Sequence, residues 1–393
     1  MSNKATLVVD LGNSQTRVMT LYGKDKNYDI PNQRLSVLSN KFAELRDSDI
    51  ALLQNGDYDG DNSKVFMYGA GGNILCSGYI CERERSSASF RPSVSMKKYD
   101  SPISMYSLNL ALYEGYKHIS DMTGQDIEDI DVSWDISVLL PPSDLDIGAD
   151  IIKSKILGIS KIKFLMPEVE KNIFVENVKV LPEGFCAFVC KVFENAKKLR
   201  EGCQDILKSS TLVVDIGAGT SDFCIVKDAK LIDTSRYSED VGGNQVYQKV
   251  NVALRKKFSR NFPEDILREA AITGNLKIGA KVIPIKDILE DAKRDVATEI
   301  SSSIKNYIEG SSFSAIDIEN ILICGGESEN DNGIKALGAY LKDDLAGWLT
   351  FSNFLTPPET ISTVFVDGIE QSERKPISVR LMNVLGAGVL SSK

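Results

Sequence analysis

Thr6-Leu7-Val8-Val9-Asp10-Leu11-Gly12-Asn13-Ser14-Gln15-Thr16-Arg17-Val18 is an apolar run, an Asp-x-Gly followed by small polar residues, and the start of a second apolar run. The same plan returns at Thr211-Leu212-Val213-Val214-Asp215-Ile216-Gly217-Ala218-Gly219-Thr220-Ser221-Asp222-Phe223. Short apolar runs bounded by turn residues are the pattern of buried strands, so each segment predicts a strand–turn–strand unit. Gly12 and Gly217 allow a tight turn and close approach of backbone to a ligand. The turn N–H groups then face a concavity that suits phosphate oxygens. Asp10 and Asp215, each at a strand end, place carboxylates beside it. Mg²⁺ keeps most of its waters, so one or two carboxylates acting through water suffice to hold it. A single unit of this kind is a common turn. Two near-identical copies, one near the start of each half, predict two related domains facing each other.

Outward from these units the chain alternates strands and helices. Ser101-Pro102 opens a helix with apolar Met105, Leu108, Leu112 and Ile119, and Gly124 ends it. Residues 132–140 read as a strand stopped by Pro141-Pro142. Pro284 precedes a long helix with Ile288, Ala292, Val296, Ile300, Ile304 and Ile308 at regular spacing. This alternation predicts α/β layers around largely buried sheets. The chain has 393 residues, more than one core usually holds. With 42% hydrophobic and 26% charged residues it has the composition of a globular protein.

Charge and cysteine usage exclude several classes. A net charge of −9 argues against direct binding to duplex DNA, which needs a positive field. The basic clusters Lys197-Lys198-Arg200 and Arg255-Lys256-Lys257 each read as a solvated helix face. No apolar run approaches the ~20 residues that span a bilayer, and no signal peptide precedes the first strand. Seven scattered cysteines and a single histidine, His118, speak against zinc and for buried thiols in a reducing cytoplasm. Residues 31–100 are polar, Gly-rich and irregular, and predict an inserted subdomain. Within it, Asp57-Tyr58-Asp59-Gly60-Asp61-Asn62 lacks the Gly and Glu that a calcium loop needs at its sixth and twelfth places, and reads as a solvated turn.

A third glycine element follows a further strand, Ile321-Leu322-Ile323-Cys324-Gly325-Gly326-Glu327-Ser328. Adjacent glycines there leave room for a flat ring or a phosphate, although an ordinary strand-to-helix turn would look the same. With Leu181-Pro182-Glu183-Gly184-Phe185-Cys186-Ala187-Phe188 and Val384-Leu385-Gly386-Ala387-Gly388-Val389-Leu390, the two Asp-x-Gly units and this element resemble the five nucleotide-site motifs of the actin/Hsp70/sugar-kinase superfamily, in the expected order. Within it the chain is most similar to the ParM-like plasmid-segregation actins, in Pro182-Glu183-Gly184 and in Ser137-Val138-Leu139-Leu140-Pro141-Pro142. It departs from many relatives in having Leu139-Leu140-Pro141 where they carry Gly-Leu-Pro.

The resemblance implies an actin-like α/β fold, with two ribonuclease-H-like domains flanking a nucleotide cleft. Domain I would comprise residues 1–182 plus about 375–393, with the insertion at about 31–100. Domain II would comprise 183–374, with a subdomain at about 237–300. ATP, or GTP, would be bound with Mg²⁺. Asp10, Gly12, Asn13, Ser14, Gln15, Thr16 and Arg17 would hold phosphates from one side, and Gly217, Ala218, Gly219 and Thr220 from the other. Gly325, Gly326 and Glu327 would meet the adenosine, and Glu290 and Lys293 the ribose and base. An i,i+3 surface pair is an equally good account of the last two. Gly242, Gly243 and Asn244 open a helix that either faces the cleft or is simply well capped. Asp10 and Asp215 would hold the metal, and Glu183 would place the attacking water.

The function implied is a filament-forming ATPase, its own partner in a homopolymer, that segregates plasmid DNA through an adaptor bound to a centromere-like site. Rivals are a sugar-type kinase, an Hsp70-like module, and a membrane-associated cytoskeletal actin homologue such as MreB or FtsA. A kinase needs a catalytic Asp in a substrate pocket, and Hsp70 a following peptide-binding domain. The membrane-associated homologues carry an amphipathic terminal helix. None of these is visible in the sequence.

Overall fold

The structure, a computed structural model, describes residues 3–13, 15–23, 32–40, 42–44, 65–70, 73–78, 89–90, 97–165, 168–328, 335–358, 365–366, 369–370 and 379–392. The loop at Asp57–Asn62 and Ser14 lie outside them.

Both Asp-x-Gly units are antiparallel hairpins. In the first half β1 (Asn3–Leu11) pairs with β2 (Gln15–Tyr22), which pairs with β3 (Asn32–Ser39). Helix α1 (Pro102–Thr123) starts on Ser101, whose side chain accepts from Ile103 N, and ends on Gly124 at φ 73°. Strand β4 (Val132–Leu140) then pairs parallel with β1; α2 (Leu145–Leu157) crosses over, and β5 (Phe174–Pro182) pairs parallel with β4. The sheet order is therefore β5-β4-β1-β2-β3.

Helix α3 (Phe185–Val192) carries the chain towards the second half. There β6 (Ser210–Ile216) pairs antiparallel with β7 (Ser221–Lys227). After these come α4 (Gly243–Phe258), α5 (Glu264–Thr273), the hairpin of β8 (Asn275–Ile278) with β9 (Lys281–Pro284), and the long α6 (Lys286–Gly310). Strand β10 (Asn320–Cys324) lies parallel beside β6; α7 (Leu337–Ala346) and the parallel edge strand β11 (Asn353–Leu355) follow. A central strand has its hairpin partner on one side and parallel strands on the other in both sheets. The halves are thus built to one plan.

Alternation along the central strands assigns their two faces. Leu7 and Val9 face the core under α1, whereas Val8 faces the seam; Leu212 and Val214 face the core of α6, whereas Val213 faces the seam. In that seam α3 packs against α8 (Met382–Ser391). A Cβ on Gly386 would collide with the Cys186 carbonyl, so only glycine permits this approach.

Three expectations change. Residues 32–39 are an integral strand of the first sheet, so the inserted strands begin only at Phe42–Glu44; these belong to a separate four-stranded sheet. Phe365–Val366 pairs with β3, so the chain is back in the first sheet before residue 375. Lys197-Lys198-Arg200 is not helical, because Phe193–Asn195 pairs with Lys198–Leu199. The Asn195 side chain accepts from Lys197 N and turns the chain. Arg255-Lys256-Lys257 does lie exposed in the last turn of α4.

Candidate functional site

The two hairpin turns face each other across a cavity of about 320 Å³, large enough for a small ligand. In the first turn Gly12 N donates to Asp10 O (3.1 Å), and in the second Gly217 N donates to Thr220 O (2.9 Å). A Cβ at Gly12 would lie 2.5 Å from Gln15 O, which accounts for glycine there. Asp10, Gly12, Asn13, Gln15 and Arg17 line one wall, and Asp215, Gly217, Ala218 and Thr220 line the other. Glu183 closes the floor from the end of β5, where its N donates to Leu140 O (2.9 Å). Gly325, Gly326 and Glu327 complete the wall after β10. Gly325 has φ 94°, and a Cβ on it would run into the Asp215 carboxylate.

The hairpins differ in charge. Opposite Asp10 in the ladder stands Arg17, whose Nη1 donates to Asp10 Oδ2 at 3.0 Å. Opposite Asp215 stands a second carboxylate, Asp222. Asp215 accepts from Asn383 Nδ2, while Asn383 Oδ1 accepts from Gly184 N at 2.9 Å. Asp222 accepts from Ser238 Oγ, and from Thr220 Oγ1 at 3.3 Å. Neither residue of this pair has a cationic side-chain donor among its described bonds.

Lys98 is the cation that sequence reading missed. It stands in the turn ahead of α1, a turn anchored by the Lys97–Asp144 ion pair (2.9 Å). Its Nζ donates to Glu183 Oε1 at 2.6 Å. Asp10, Glu183, Asp215 and Asp222 are each no more than 6% exposed. Burial pushes the Glu183 carboxyl up; Lys98 opposes this, and Asp10, Asp222 and Asp215 add to it. Burial likewise raises Asp215, with Asn383 opposing, and raises Asp222, with Lys98 opposing. Burial works against the Lys98 charge, but Glu183, Asp10 and Asp222 around it more than offset that and hold it firmly protonated. Four carboxylates are thus buried together in this cavity, with Arg17 and Lys98 among them and Arg268 and Arg380 also in its lining.

Several expected residues do not line this cavity. Thr16 Oγ1 donates to Asn40 Oδ1 (2.7 Å) instead. Gly219 lies against Gly242, where a Cβ would come within 3.0 Å of it. Gly243 N and Asn244 N, at the start of α4, donate to Gly217 O (3.1 Å) and Ala218 O (2.7 Å). That helix start braces the second turn rather than facing the cavity. Glu290 pairs with Lys286 (3.8 Å), and Lys293 Nζ donates to Lys335 O (3.0 Å). The wall expected from them comes instead from α4 and α5: Tyr247, Arg268 and Ile272. Arg268 lies 4.6 Å over the Tyr247 ring and donates to Asn244 Oδ1 (2.7 Å). Arg380 and Asn383, just ahead of and within α8, also line the cavity.

The six described cysteines are free and buried. His118 is buried between Thr20 Oγ1 and Ser36 Oγ, both at 2.8 Å, and burial pushes its pKa down to about 3. Among the described residues no three His, Cys, Asp or Glu side chains form a metal cage. No described helix is long and apolar enough to cross a membrane.

Residues 213–331 match the family model of the archaeal actin homologue MreB-like, C-terminal. Comparison with curated protein sequences finds no match. Among solved structures, the archaeal actin homologue Ta0583 in complex with ADP is similar over 98% of this chain and 99% of its own, at 13% identity and TM-score 0.66. A 15-stranded ParM filament from Clostridium botulinum covers 98% of each chain at 14% identity and TM-score 0.63. The actin-like protein Alp7A covers 100% of this chain and 96% of its own at 17% identity and TM-score 0.63. At these identities the likeness fixes the fold, and the fold is that of the actins.

Proposed function

We propose that this actin-fold chain binds a nucleoside triphosphate with Mg²⁺ between its halves, hydrolyses it, and assembles head to tail into filaments. The observation that carries this reading is the convergence of both hairpin turns, Glu183 and the Gly325-Gly326 turn on one cavity at the seam. Turn N–H groups on two sides suit a polyphosphate. Tyr247, Arg268 and the paired glycines suit the base at the far end, adenine or guanine. The ADP complex of the archaeal homologue and the ParM filament are consistent with such a ligand and such an assembly.

A divalent cation fits the second hairpin. Asp215 and Asp222 face each other with neutral donors, and burial raises both. Asp215, with Asp10 across the cleft, would hold Mg²⁺ through its water shell. When bound, the ion would neutralise phosphate charge. The chain's own residues do the rest. Arg17 offsets Asp10 beside the first turn. Lys98 fixes the Glu183 carboxylate at the cavity floor, where it can accept a proton from a water placed for in-line attack. Closure would pivot on α3 and α8, whose packing couples the sheets, with Asn383 tying Gly184 to Asp215.

Resemblance to the ParM-like actins supports plasmid segregation as the use of such a filament. With a net charge of −9, DNA would be engaged through an adaptor protein rather than directly. Sedimentation with and without ATP and Mg²⁺ tests the reading, together with turnover measured across protein concentration. Polymer that appears with ATP, and turnover that rises above a threshold concentration, are expected. A monomer whose turnover is stimulated by a sugar would move the assignment to a kinase.

A further inference from the structure

Asn40 stands one residue beyond β3, where the chain leaves the first sheet, and is 2% exposed. Its side-chain amide bonds three groups. Nδ2 donates to Gly12 O, while Oδ1 accepts from Thr16 Oγ1 (2.7 Å) and from Ser107 Oγ on α1 (3.1 Å). A backbone carbonyl can only accept, so the amide edge facing Gly12 is the NH₂. Asn40 thus grips the first hairpin at its turn and at the start of its second strand.

The second hairpin is held at the same two points by different means. Leu11 pairs with Thr16 and Ile216 with Ser221, so Thr16 and Ser221 are equivalent places, as are Gly12 and Gly217. Gly217 O accepts from Gly243 N (3.1 Å), and Ser221 Oγ donates to Val241 O (2.7 Å). There the backbone entering α4 supplies a donor to the glycine carbonyl and an acceptor for the hydroxyl. In the first half one asparagine side chain supplies both, because its amide carries the same donor and acceptor as a peptide group. Unrelated pieces of chain making the same two bonds point to a requirement of the turns themselves rather than to local packing.

The requirement follows from the peptide plane. In a trans peptide the N–H points opposite to the C=O. A Gly12 carbonyl drawn towards Asn40 leaves the Asn13 N–H directed the other way. Asn13 lines the main cavity and Asn40 does not. Gly12 has no side chain to limit its own dihedrals, so an outside contact has to set that plane. We propose that Asn40 is a positioning residue for phosphate binding: by holding Gly12 O it presets the Asn13 N–H towards the polyphosphate. This inference rests on the nucleotide reading above and adds to it a residue outside the cavity lining.

Three variants test it. Asn40→Ser is too short to reach Gly12, and Asn40→Leu keeps the size without polar atoms. Ser107→Ala removes a bond to Asn40 Oδ1 but leaves the Asn40–Gly12 bond in place. Circular dichroism and cooperative unfolding check each fold. Calorimetric titration with Mg²⁺–ADP and with adenosine, or with Mg²⁺–GDP and guanosine if the parent prefers them, separates the phosphate end from the base end. In both Asn40 variants affinity for the diphosphate should fall at least tenfold, while affinity for the nucleoside stays within twofold. Ser107→Ala should match the parent for both ligands. A diphosphate loss no larger than the nucleoside loss, or loss of fold in both Asn40 variants, would make Asn40 a structural residue and overturn the assignment. A parent that binds neither diphosphate would overturn the nucleotide reading, and this inference with it.

Discussion

Lys98 Nζ lies 2.6 Å from Glu183 Oε1, and the two side chains are 13% and 6% exposed. The pair joins the turn ahead of α1 to the end of β5 and forms the floor of the cleft. Charge buried on both sides means that neither partner can be removed alone without penalty.

Lys98→Met should therefore destabilise the nucleotide-free protein by about 3–5 kcal/mol, the usual cost of leaving a buried charge unpaired. Proton uptake by Glu183 would soften this. The double variant with Glu183→Gln should recover much of the loss. Denaturant unfolding of the singles and the double decides it; strictly additive losses would mean that the pair is not coupled.

Glu183→Gln alone separates holding the nucleotide from cleaving it. Affinity should stay within a few-fold of the parent, because in the proposed complex the hairpin turns would hold the phosphates. Turnover should drop by ~10²-fold or more, the scale of losing a general base. Parallel loss of affinity and turnover would make Glu183 a structural residue.

Asp215→Asn keeps the side-chain size and removes the charge. Mg²⁺-dependent turnover should fall at least tenfold, about 1.4 kcal/mol of barrier, with unchanged circular dichroism. Nucleotide affinity should also lose most of its dependence on Mg²⁺, read by titration with and without a chelator. Parent-like turnover would remove Asp215 from the site.

The raised carboxyls predict an acid-leaning stability profile for the ligand-free protein. Asp222 is pushed up to about 6 and Glu183 to about 8, from ordinary values near 4. A carboxyl raised on folding binds protons more readily in the native state. Its stabilising contribution is full below the unfolded pKa and is lost as pH rises through the folded one. Unfolding free energy should thus decline from about pH 4 to pH 8 relative to a Glu183→Gln/Asp222→Asn variant. Mg²⁺ with a nucleotide should flatten the difference. A parent no more pH-sensitive than the variant would contradict the assignment.

The hairpins were legible because Asp-x-Gly between two apolar runs leaves the chain few alternatives, and because the unit occurs twice. Asp222 was not singled out, although the signal was there: it lies at the place where β7 must come back opposite Asp215. Lys98 was not legible. It sits in a polar stretch without periodicity, and only the packing of the turn ahead of α1 against β5 gives it a partner. Glu290 and Lys293 looked functional through motif likeness, and helical spacing offered a surface pair between them instead; Glu290 does form such a pair, but with Lys286, while Lys293 donates to Lys335 O. The helical reading of Lys197-Lys198-Arg200 failed because residue propensity favoured a helix while the Asn195 side chain, accepting from the N–H of Lys197 two residues on, favoured a turn.

Arg17 and Asp222 occupy equivalent places in the two hairpins, one cationic and one anionic. In the proposed nucleotide complex the first half would meet the ligand with Asp10 already paired, whereas the second would meet it with two facing carboxylates and no cationic hydrogen-bond donor. On that reading, loading would follow an order. A nucleotide would rest on the first hairpin unaided, and the second would swing onto the phosphates only once the metal had come with them. Chelation should reverse the order, loosening the second half while the first still holds the ligand.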